Sequence, residues 1–261
     1  MSETTSAVDL YFTEQGEGSA LIIIHGLFGS ADNWRTLAKK FAEQYKVYCV
    51  DLRNHGRSPH TEGMSYQAMA ADLLKFMQDQ QINQARIIGH SMGGKVAMQL
   101  ALSHPEKVDR LVVADIAPVQ YDHGHDDVIA AFYAVRQAGG ATSRKEADQL
   151  MSEHVSELGV RQFLMTNLEK KPSGKLEWRV GLDYIRDDYD AVTQSPQGDG
   201  FAGRSLFIRG ERSEYVRDDY LSRINALFSG HQLVTIKDAG HWLHAEKPLE
   251  FHQKVSEFLI Q

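Results

Sequence analysis

The residues with the clearest chemical potential form a G-x-S-x-G pentapeptide, Gly89-His90-Ser91-Met92-Gly93. An apolar run at 85–88 precedes it and a helix-forming stretch at 95–100 follows, which is the strand–turn–helix context of a nucleophilic serine. A serine is a weak nucleophile unless a turn exposes its hydroxyl beside a base. Small glycines leave room for such a turn. The pattern predicts that Ser91 is a nucleophile, although an ordinary structural turn between strand and helix is the alternative.

The base for this serine is predicted at His241, which follows the last predicted strand in DAGHW at 238–242. Such a histidine would take the Ser91 proton and later donate it to the leaving group. A position late in the chain, after the serine, favours this role. The chain has 12 histidines, so a structural loop histidine is the competing interpretation, and His244 is a rival three residues later.

The acid that orients the histidine has two kinds of candidate. In a serine–histidine–acid arrangement of this kind the acid usually follows the strand that is predicted here at 205–208. Ser213 stands at the position in this chain where that aspartate would be expected. Asp115 ends the strand directly after the nucleophile's strand, and both loops emerge at the carboxyl edge of the sheet. We therefore expect Asp115 to orient His241 and Ser213 to donate a hydrogen bond to that pair. Asp115 as a helix N-cap and Ser213 as a plain loop residue are alternatives, and three other acids also stay open: Glu211, Glu214 and Asp218.

An oxyanion hole is predicted where the apolar strand at 22–24 enters the turn HGLFG at 25–29. The Leu27 N–H would pair with that of Met92, which begins a helix and faces developing negative charge. Phe28 is predicted to line the substrate pocket. A phosphate-binding glycine loop is the competing interpretation, but the Gly-Lys-Ser/Thr ending is missing.

Two other polar stretches have structural interpretations. The loop at 51–58, DLRNHGRS, is predicted to brace the active-site loops, with a substrate contact as the alternative. The stretch DHGHDD at 122–127 mixes histidines and carboxylates, as a metal site does. We favour an acidic helix N-terminus there, which complements the helix dipole.

Bulk properties exclude several classes of function. The chain has 261 residues, a formal net charge of −7 and no basic cluster, which argues against nucleic acid or an anionic membrane as a partner. The stretch at 1–6 is not basic and no apolar run follows it, so no secretory signal is predicted. The densest apolar run, at 20–24, is far too short for a membrane span. Cys49 is the single cysteine, so we expect a cytoplasmic, soluble protein. The sequence carries no signal for its oligomeric state.

Alternating signals predict an α/β fold with a mostly parallel sheet and helices on both faces. Strands are predicted at 8–12, 21–24, 46–50, 85–88, 110–114, 205–208 and 232–236. Helices of this core are predicted at 32–44, 66–80 and 95–103. Between 118 and 200 only helix patterns are found, at 126–137, 143–154, 160–170 and 176–190. We therefore predict a core of residues 1–117 and 201–261 with a helical cap inserted at 118–200.

Apolar and aromatic residues of the cap are candidates for the acyl pocket: Phe132, Tyr133, Phe163, Met165 and Trp178. Phe132 and Trp178, with Phe28, are the predicted pocket residues. The helical spacing of the cap residues also fits a role in the cap's own core.

Several segments together resemble the α/β-hydrolase superfamily over essentially the whole chain: 25–29, 51–58, 89–94 and 240–241. More narrowly, DIAP at 115–118, SEYV at 213–216 and HWLHAEKP at 241–248 resemble the bacterial esterase YbfF group. The resemblance implies an α/β-hydrolase fold and hydrolysis of small acyl esters, with a link to acyl thioesters. By the same resemblance the catalytic network is Ser91, His241, Asp115 and Ser213.

The expected function is carboxylic-ester hydrolysis through an acyl-enzyme on Ser91, with a small acyl ester as substrate and without metal or cofactor. A carbon–carbon bond hydrolase or lyase is one alternative, in which Arg53, Arg57 and Arg209 would bind a diketone or carboxylate. A non-catalytic ligand receptor on the same fold is the other.

Overall fold

A computed structural model describes residues 6–260, so the predicted lack of a signal at residues 1–5 lies outside the described part of the chain. Within this part the strands are β1 Phe12–Gln15, β2 Ala20–Ile24, β3 Lys46–Val50, β4 Ala85–His90, β5 Val108–Ala114, β6 Leu168–Lys170, β7 Leu176–Trp178, β8 Ser205–Gly210 and β9 His231–Ile236. The α-helices are α1 Arg35–Phe41, α2 Tyr66–Asp79, α3 Met92–Ser103, α4 Asp126–Gln137, α5 Arg144–Met151, α6 Leu158–Leu164, α7 Leu182–Asp187, α8 Tyr189–Thr193, α9 Leu221–Leu227, α10 Leu243–Glu246 and α11 Pro248–Leu259.

A seven-stranded sheet has the order β1-β3-β2-β4-β5-β8-β9. All neighbouring pairs are parallel except β1 with β3. The central strands bury nearly every side chain, because apolar clusters pack on both faces of the sheet. This confirms the predicted fold class. It also brings the carboxyl ends of β4, β5 and β8 side by side, where a site on such a sheet forms.

The first strand differs from its prediction at 8–12. The strand begins only at Phe12, and two backbone N–H groups before it donate to side chains. The Val8 N–H donates to Asp72 Oδ1 and the Tyr11 N–H donates to Ser58 Oγ, each over 2.8 Å. These contacts come from residues far along the chain, so local sequence did not reveal them.

The segment 118–200 lies between β5 and β8 in the sequence and contains α4 to α8. The prediction of an all-helical segment is wrong, because β6 and β7 form an antiparallel hairpin that replaces parts of two predicted helices, 160–170 and 176–190. Gly174, with φ of 85°, lies in the turn between these strands. Helix propensity is weak compared with such tertiary pairing. The division of the chain into core and cap stays a prediction.

No helix in the described range is long and apolar enough to cross a membrane.

Candidate active site

Ser91 lies in a strained turn between β4 and α3. Its φ and ψ are 52° and −123°, a conformation that L-residues rarely adopt and that costs on the order of 1–3 kcal/mol. Gly89 and Gly93 must be glycines, because a side chain at either position would collide with the backbone. A Cβ on Gly89 would lie 2.3 Å from Gly93 O, and one on Gly93 would lie 2.3 Å from His25 O. The surrounding backbone thus holds the turn that projects the Ser91 hydroxyl from the sheet edge.

His241 lies between Ser91 and Asp115 in a hydrogen-bonded chain. His241 Nε2 is 3.0 Å from Ser91 Oγ, and His241 Nδ1 is 2.7 Å from Asp115 Oδ2. A carboxylate only accepts hydrogen bonds, so Nδ1 carries the proton and Nε2 is free to accept one from the serine. This geometry can perform general-base activation of a serine nucleophile.

Asp115 is fully buried at the end of β5 and is held by three donors. Oδ1 accepts a hydrogen bond of 2.9 Å from the Gly210 N–H. Oδ2 accepts from His241 and from the Ser213 hydroxyl. Asp115 itself has a φ of 54°, which turns the backbone after the strand. The structure therefore brings Ser213 to the carboxylate rather than to the imidazole.

The other candidate acids lie elsewhere. Glu211 accepts a hydrogen bond from the Asp238 N–H, and Asp218 pairs with Arg209 over 2.6 Å. Glu214 is exposed and lines the larger of two cavities beside Ser91. None of these three carboxylates contacts His241 in residues 6–260.

The predicted oxyanion loop follows β2 and faces the helix that starts after Ser91. Neither the Leu27 nor the Met92 N–H donates a hydrogen bond within the described chain, and both residues line the cavity beside Ser91. Two donors free at a helix start and a facing loop can bind a tetrahedral oxyanion.

Contacts from two directions hold this loop in place. The Phe28 N–H donates to His55 Nε2 over 3.0 Å, and the Phe28 carbonyl accepts from Asn167 Nδ2 over 2.7 Å. His25 Nε2 accepts from the Leu52 N–H over 3.0 Å. Because burial lowers the pKa of His25 to about 4 and that of His55 to about 3, both rings stay neutral and keep their acceptor nitrogens. The loop at 51–58 therefore braces the turn after β2, as predicted.

His244, the rival base, lies too deep to serve. Its ring stacks on Trp34 with centroids 4.4 Å apart, and it is only 8% exposed. Burial lowers its pKa to about 3. No hydrogen bond joins it to Ser91, whereas His241 is directly bonded to the serine.

Two cavities meet at Ser91, and both are also lined by Leu27, His125 and Tyr215. The smaller one, which we name the apolar arm, has a volume of about 240 Å³. It is lined mainly by apolar and aromatic side chains, including Phe28, Val128, Val160, Phe163, Leu164 and Trp242. The larger one, the polar arm, has about 430 Å³ and includes Tyr66, Lys95, Tyr121, Tyr189, Glu214 and Arg217. Both sizes fit small organic groups.

Two of the three predicted pocket residues do not line these cavities. Phe28 lines the apolar arm. Phe132 has no exposed surface, because it packs between Phe28 and Trp178 with ring centroids 4.7 and 4.6 Å away. Trp178 donates its indole N–H to the Phe132 carbonyl and lines other surface cavities. Both belong to the internal packing of the segment 118–200, so their prediction as pocket residues is wrong.

The arginines proposed for a diketone or carboxylate substrate are engaged elsewhere. Arg53 is fully buried and forms two hydrogen bonds with Asp72, at 2.6 and 2.7 Å. Arg57 pairs with Asp32, and Arg209 pairs with Asp218. None of the three lines either arm.

The histidines of the stretch 122–127 also have partners. His123 Nε2 is 2.6 Å from Asp190 Oδ1, and His125 Nδ1 is 2.5 Å from the Tyr189 hydroxyl. No cluster of metal-ligating side chains is found among residues 6–260. Two of the three aspartates of the stretch, Asp126 and Asp127, lie in the first turn of α4.

Sequence reasoning missed three side chains that position the site. The Tyr215 ring stacks on the His241 imidazole with centroids 4.0 Å apart. His90 Nε2 lies 2.8 Å from the His241 carbonyl oxygen, so the His90 ring holds the backbone of His241 in place. Asn167 Nδ2, from the segment 118–200, donates to the Phe28 carbonyl. Only the position of His90 inside the pentapeptide carried any local signal.

Comparison with known proteins shows the family to which this chain belongs. Residues 19–248 match the family described as alpha/beta hydrolase fold. The chain is 41% identical to the sn-1-specific diacylglycerol lipase ABHD11 of Mus musculus, over 92% of this chain and 80% of the lipase. It is 39% identical to Esterase YbfF of Escherichia coli (strain K12), over 90% of each chain. A solved structure titled marine microorganism esterase superposes with a TM-score of 0.93 at 41% identity, covering 97% of this chain and all of that one. The chain belongs to the alpha/beta hydrolase family.

Proposed function

We propose that this protein hydrolyses carboxylic esters of small acyl groups through an acyl-enzyme on Ser91. The observation that carries the proposal is the hydrogen-bonded chain Ser91–His241–Asp115 at the junction of two cavities. Relatives named as esterase and lipase cover nearly all of the chain, which supports the same reaction. Acyl thioesters are a further candidate substrate, because the same attack on a carbonyl carbon cleaves them.

In the proposed reaction, Ser91 Oγ attacks the ester carbonyl while its proton passes to His241 Nε2. The carbonyl oxygen becomes an oxyanion, which the Leu27 and Met92 N–H groups bind. Asp115 stabilises the imidazolium and keeps the proton on Nδ1. His241 then protonates the departing alkoxide, and the acyl group stays on Ser91. A water molecule that loses its proton to His241 attacks the acyl-enzyme, and the acid is released as Ser91 recovers its proton.

Ser213 is proposed as a positioning residue, since its hydroxyl donates to Asp115 Oδ2 and not to the reacting atoms. Together with the Gly210 N–H it compensates the buried charge of Asp115, because a buried carboxylate is stable only when it is hydrogen-bonded. The division into a core and a cap at 118–200 and a cytoplasmic location are part of the same proposal. The location rests on the single Cys49, which leaves no internal disulfide to form.

The test is hydrolysis of p-nitrophenyl esters from acetyl to palmitoyl by the wild type and by Ser91→Ala. We expect the highest kcat/KM on short chains, since the two arms are small, and loss of turnover in Ser91→Ala. No turnover above background on any ester would overturn the esterase proposal and favour carbon–carbon hydrolysis or a receptor role. A diketone substrate and a direct binding assay would then separate those two alternatives.

A further inference from the structure

Lys95 is a buried cation without an anionic partner, one helical turn beyond Ser91. Lys95 is only 1% exposed, and its side chain lines the polar arm. Nζ donates to the Thr193 and Gln194 carbonyls, over 3.1 and 2.5 Å. No carboxylate among residues 6–260 forms an ion pair with it. Buried lysines are almost always paired with an acid, so this one needs an explanation.

The surroundings of the ammonium group stabilise its charge only partly. Nζ lies 4.6 Å from the Tyr121 ring centroid and 5.4 Å from that of Tyr66, and the faces of these rings attract the cation. Two carbonyls and two rings do not replace water around a full charge. Burial accordingly lowers the pKa of Lys95 to about 7. An anion in the polar arm would supply the missing charge.

The acids that line the same cavity are not that partner. Asp122 and Glu214 are exposed to solvent, and neither forms an ion pair with Lys95 in the described chain. Arg217, which also lines the cavity, pairs with Asp219 over 2.6 Å. The polar arm therefore has one deeply placed, uncompensated cation, close to the nucleophile.

We propose that the polar arm binds a carboxylate at the far end of the acyl chain, with Lys95 as the residue that selects it. The substrate class is a half-ester of a dicarboxylic acid. Ser91 and Lys95 are four residues apart at the start of α3, about 6 Å along the helix, so the carboxylate belongs several carbons from the reacting carbonyl. This inference rests on the proposed ester hydrolysis.

A purely structural role for Lys95 predicts a different result. Its bonds to Thr193 and Gln194 tie the end of α8 to α3. If tethering were its only role, removing the ammonium would change the turnover of charged and neutral esters by the same factor. A selecting residue changes their ratio.

The experiment compares kcat/KM for two alkyl esters of matched shape, monoethyl adipate and ethyl 6-methylheptanoate, in which an isopropyl group replaces the carboxylate. Acid release is followed by titration at constant pH near 6.5. The variants are Lys95→Met, Lys95→Arg and the control Lys39→Met, which removes an exposed lysine on α1. In the wild type the adipate ester is expected to be the better substrate.

In Lys95→Met the preference for the adipate ester is expected to fall by roughly 10- to 100-fold, as for a lost hydrogen bond to a charged group. Any loss of the contacts with Thr193 and Gln194 lowers the turnover of both esters alike, so the ratio of the two kcat/KM values is the readout. Lys95→Arg should retain part of the preference, and Lys39→Met all of it. An unchanged ratio in Lys95→Met, or a wild type that prefers the neutral ester, overturns the proposal.

A second measurement tests the carboxylate site if Lys95→Met does not fold or if the enzyme hydrolyses neither ester. Adipate is titrated into the wild type by calorimetry, with 6-methylheptanamide as the neutral comparison of the same chain length. Saturable binding of adipate alone supports the carboxylate site even if the esterase proposal fails. Absence of binding, together with turnover of the neutral ester, overturns the site and leaves the esterase proposal intact.

Discussion

Replacing Asp115 by asparagine tests the catalytic network most sharply, because the substitution keeps the size of a buried side chain. Asp115 Oδ1 accepts from the Gly210 N–H at 2.9 Å, and Oδ2 accepts from His241 Nδ1 at 2.7 Å. Asparagine has one oxygen and one NH₂ group. The Gly210 N–H can only donate, so the amide oxygen must face it and the NH₂ group must face His241.

This orientation traps the wrong tautomer of His241. Opposite an NH₂ group, Nδ1 must be unprotonated, so the proton moves to Nε2, 3.0 Å from Ser91 Oγ. Nε2 then cannot accept the serine proton. Loss of the correct tautomer in a serine triad lowers kcat by about 10⁴, or ~5.4 kcal/mol of transition-state stabilisation at 1.36 kcal/mol per decade.

Two matched variants separate this effect from general damage. Ser213→Ala removes one hydrogen bond to a charged group, worth about 1.5–3 kcal/mol, and should lower kcat/KM by roughly 10- to 100-fold. Glu211→Gln changes a competing acid whose side chain accepts a hydrogen bond from the Asp238 N–H, and should leave kcat/KM near that of the wild type.

The assay is kcat/KM on p-nitrophenyl butyrate between pH 6 and 9, with thermal unfolding of each variant as the control for folding. A folded Asp115→Asn enzyme with near-normal kcat would refute the reasoning. Loss of activity in Glu211→Gln with retention in Asp115→Asn would transfer the role to Glu211.

Three further predictions follow from contacts around the site. Gly93→Ala should strongly lower the Tm and abolish activity, because its Cβ would lie 2.3 Å from His25 O. The control Gly159→Ala should fold normally, because no atom lies within 4 Å of its new Cβ. Equal melting temperatures of the two variants would contradict this prediction. Asn167→Ala should lower kcat/KM about 10-fold by leaving the buried Phe28 carbonyl unpaired. Unchanged kinetics would show that Asn167 does not hold the predicted oxyanion loop. The pKa of His25 is lowered from 6.5 to about 4, so between these pH values the unfolded state binds more protons than the folded state, and stability falls as pH falls. From this ring alone, the free energy of unfolding measured with urea should be about 2 kcal/mol lower at pH 5 than at pH 7. A urea midpoint that does not change with pH would be inconsistent with this.

Local sequence predicted those elements whose signals lie within one stretch of chain. The strand and helix on either side of Ser91 were predictable because an apolar run, small glycines and helix formers follow one another within residues 85–103. Helix α4 and strand β3 have the predicted bounds. The hairpin of β6 and β7 was not predictable, because pairing between the strands outweighs the helix propensity of each segment.

The pocket residues show the same limit. Phe132 and Phe163 both have helical spacing in the cap sequence, yet Phe132 is buried between two aromatic rings and Phe163 lines the apolar arm. Periodicity indicates that a helix has a buried face. It does not tell whether that face meets other side chains or a cavity.

The type of chemistry could be inferred from the amino-acid sequence alone, because a serine between glycines in a strand–turn–helix context is a local pattern. Which carboxylate meets the histidine depended on the tertiary structure. Asp115 and His241 are 126 residues apart, and their contact depends on β4, β5, β8 and β9 lying in that order across the sheet. The state of Lys95 was decided in the same way: its sequence position allows an exposed, hydrated lysine, and only the packing of α8 and two tyrosines over α3 makes it a buried cation beside a cavity.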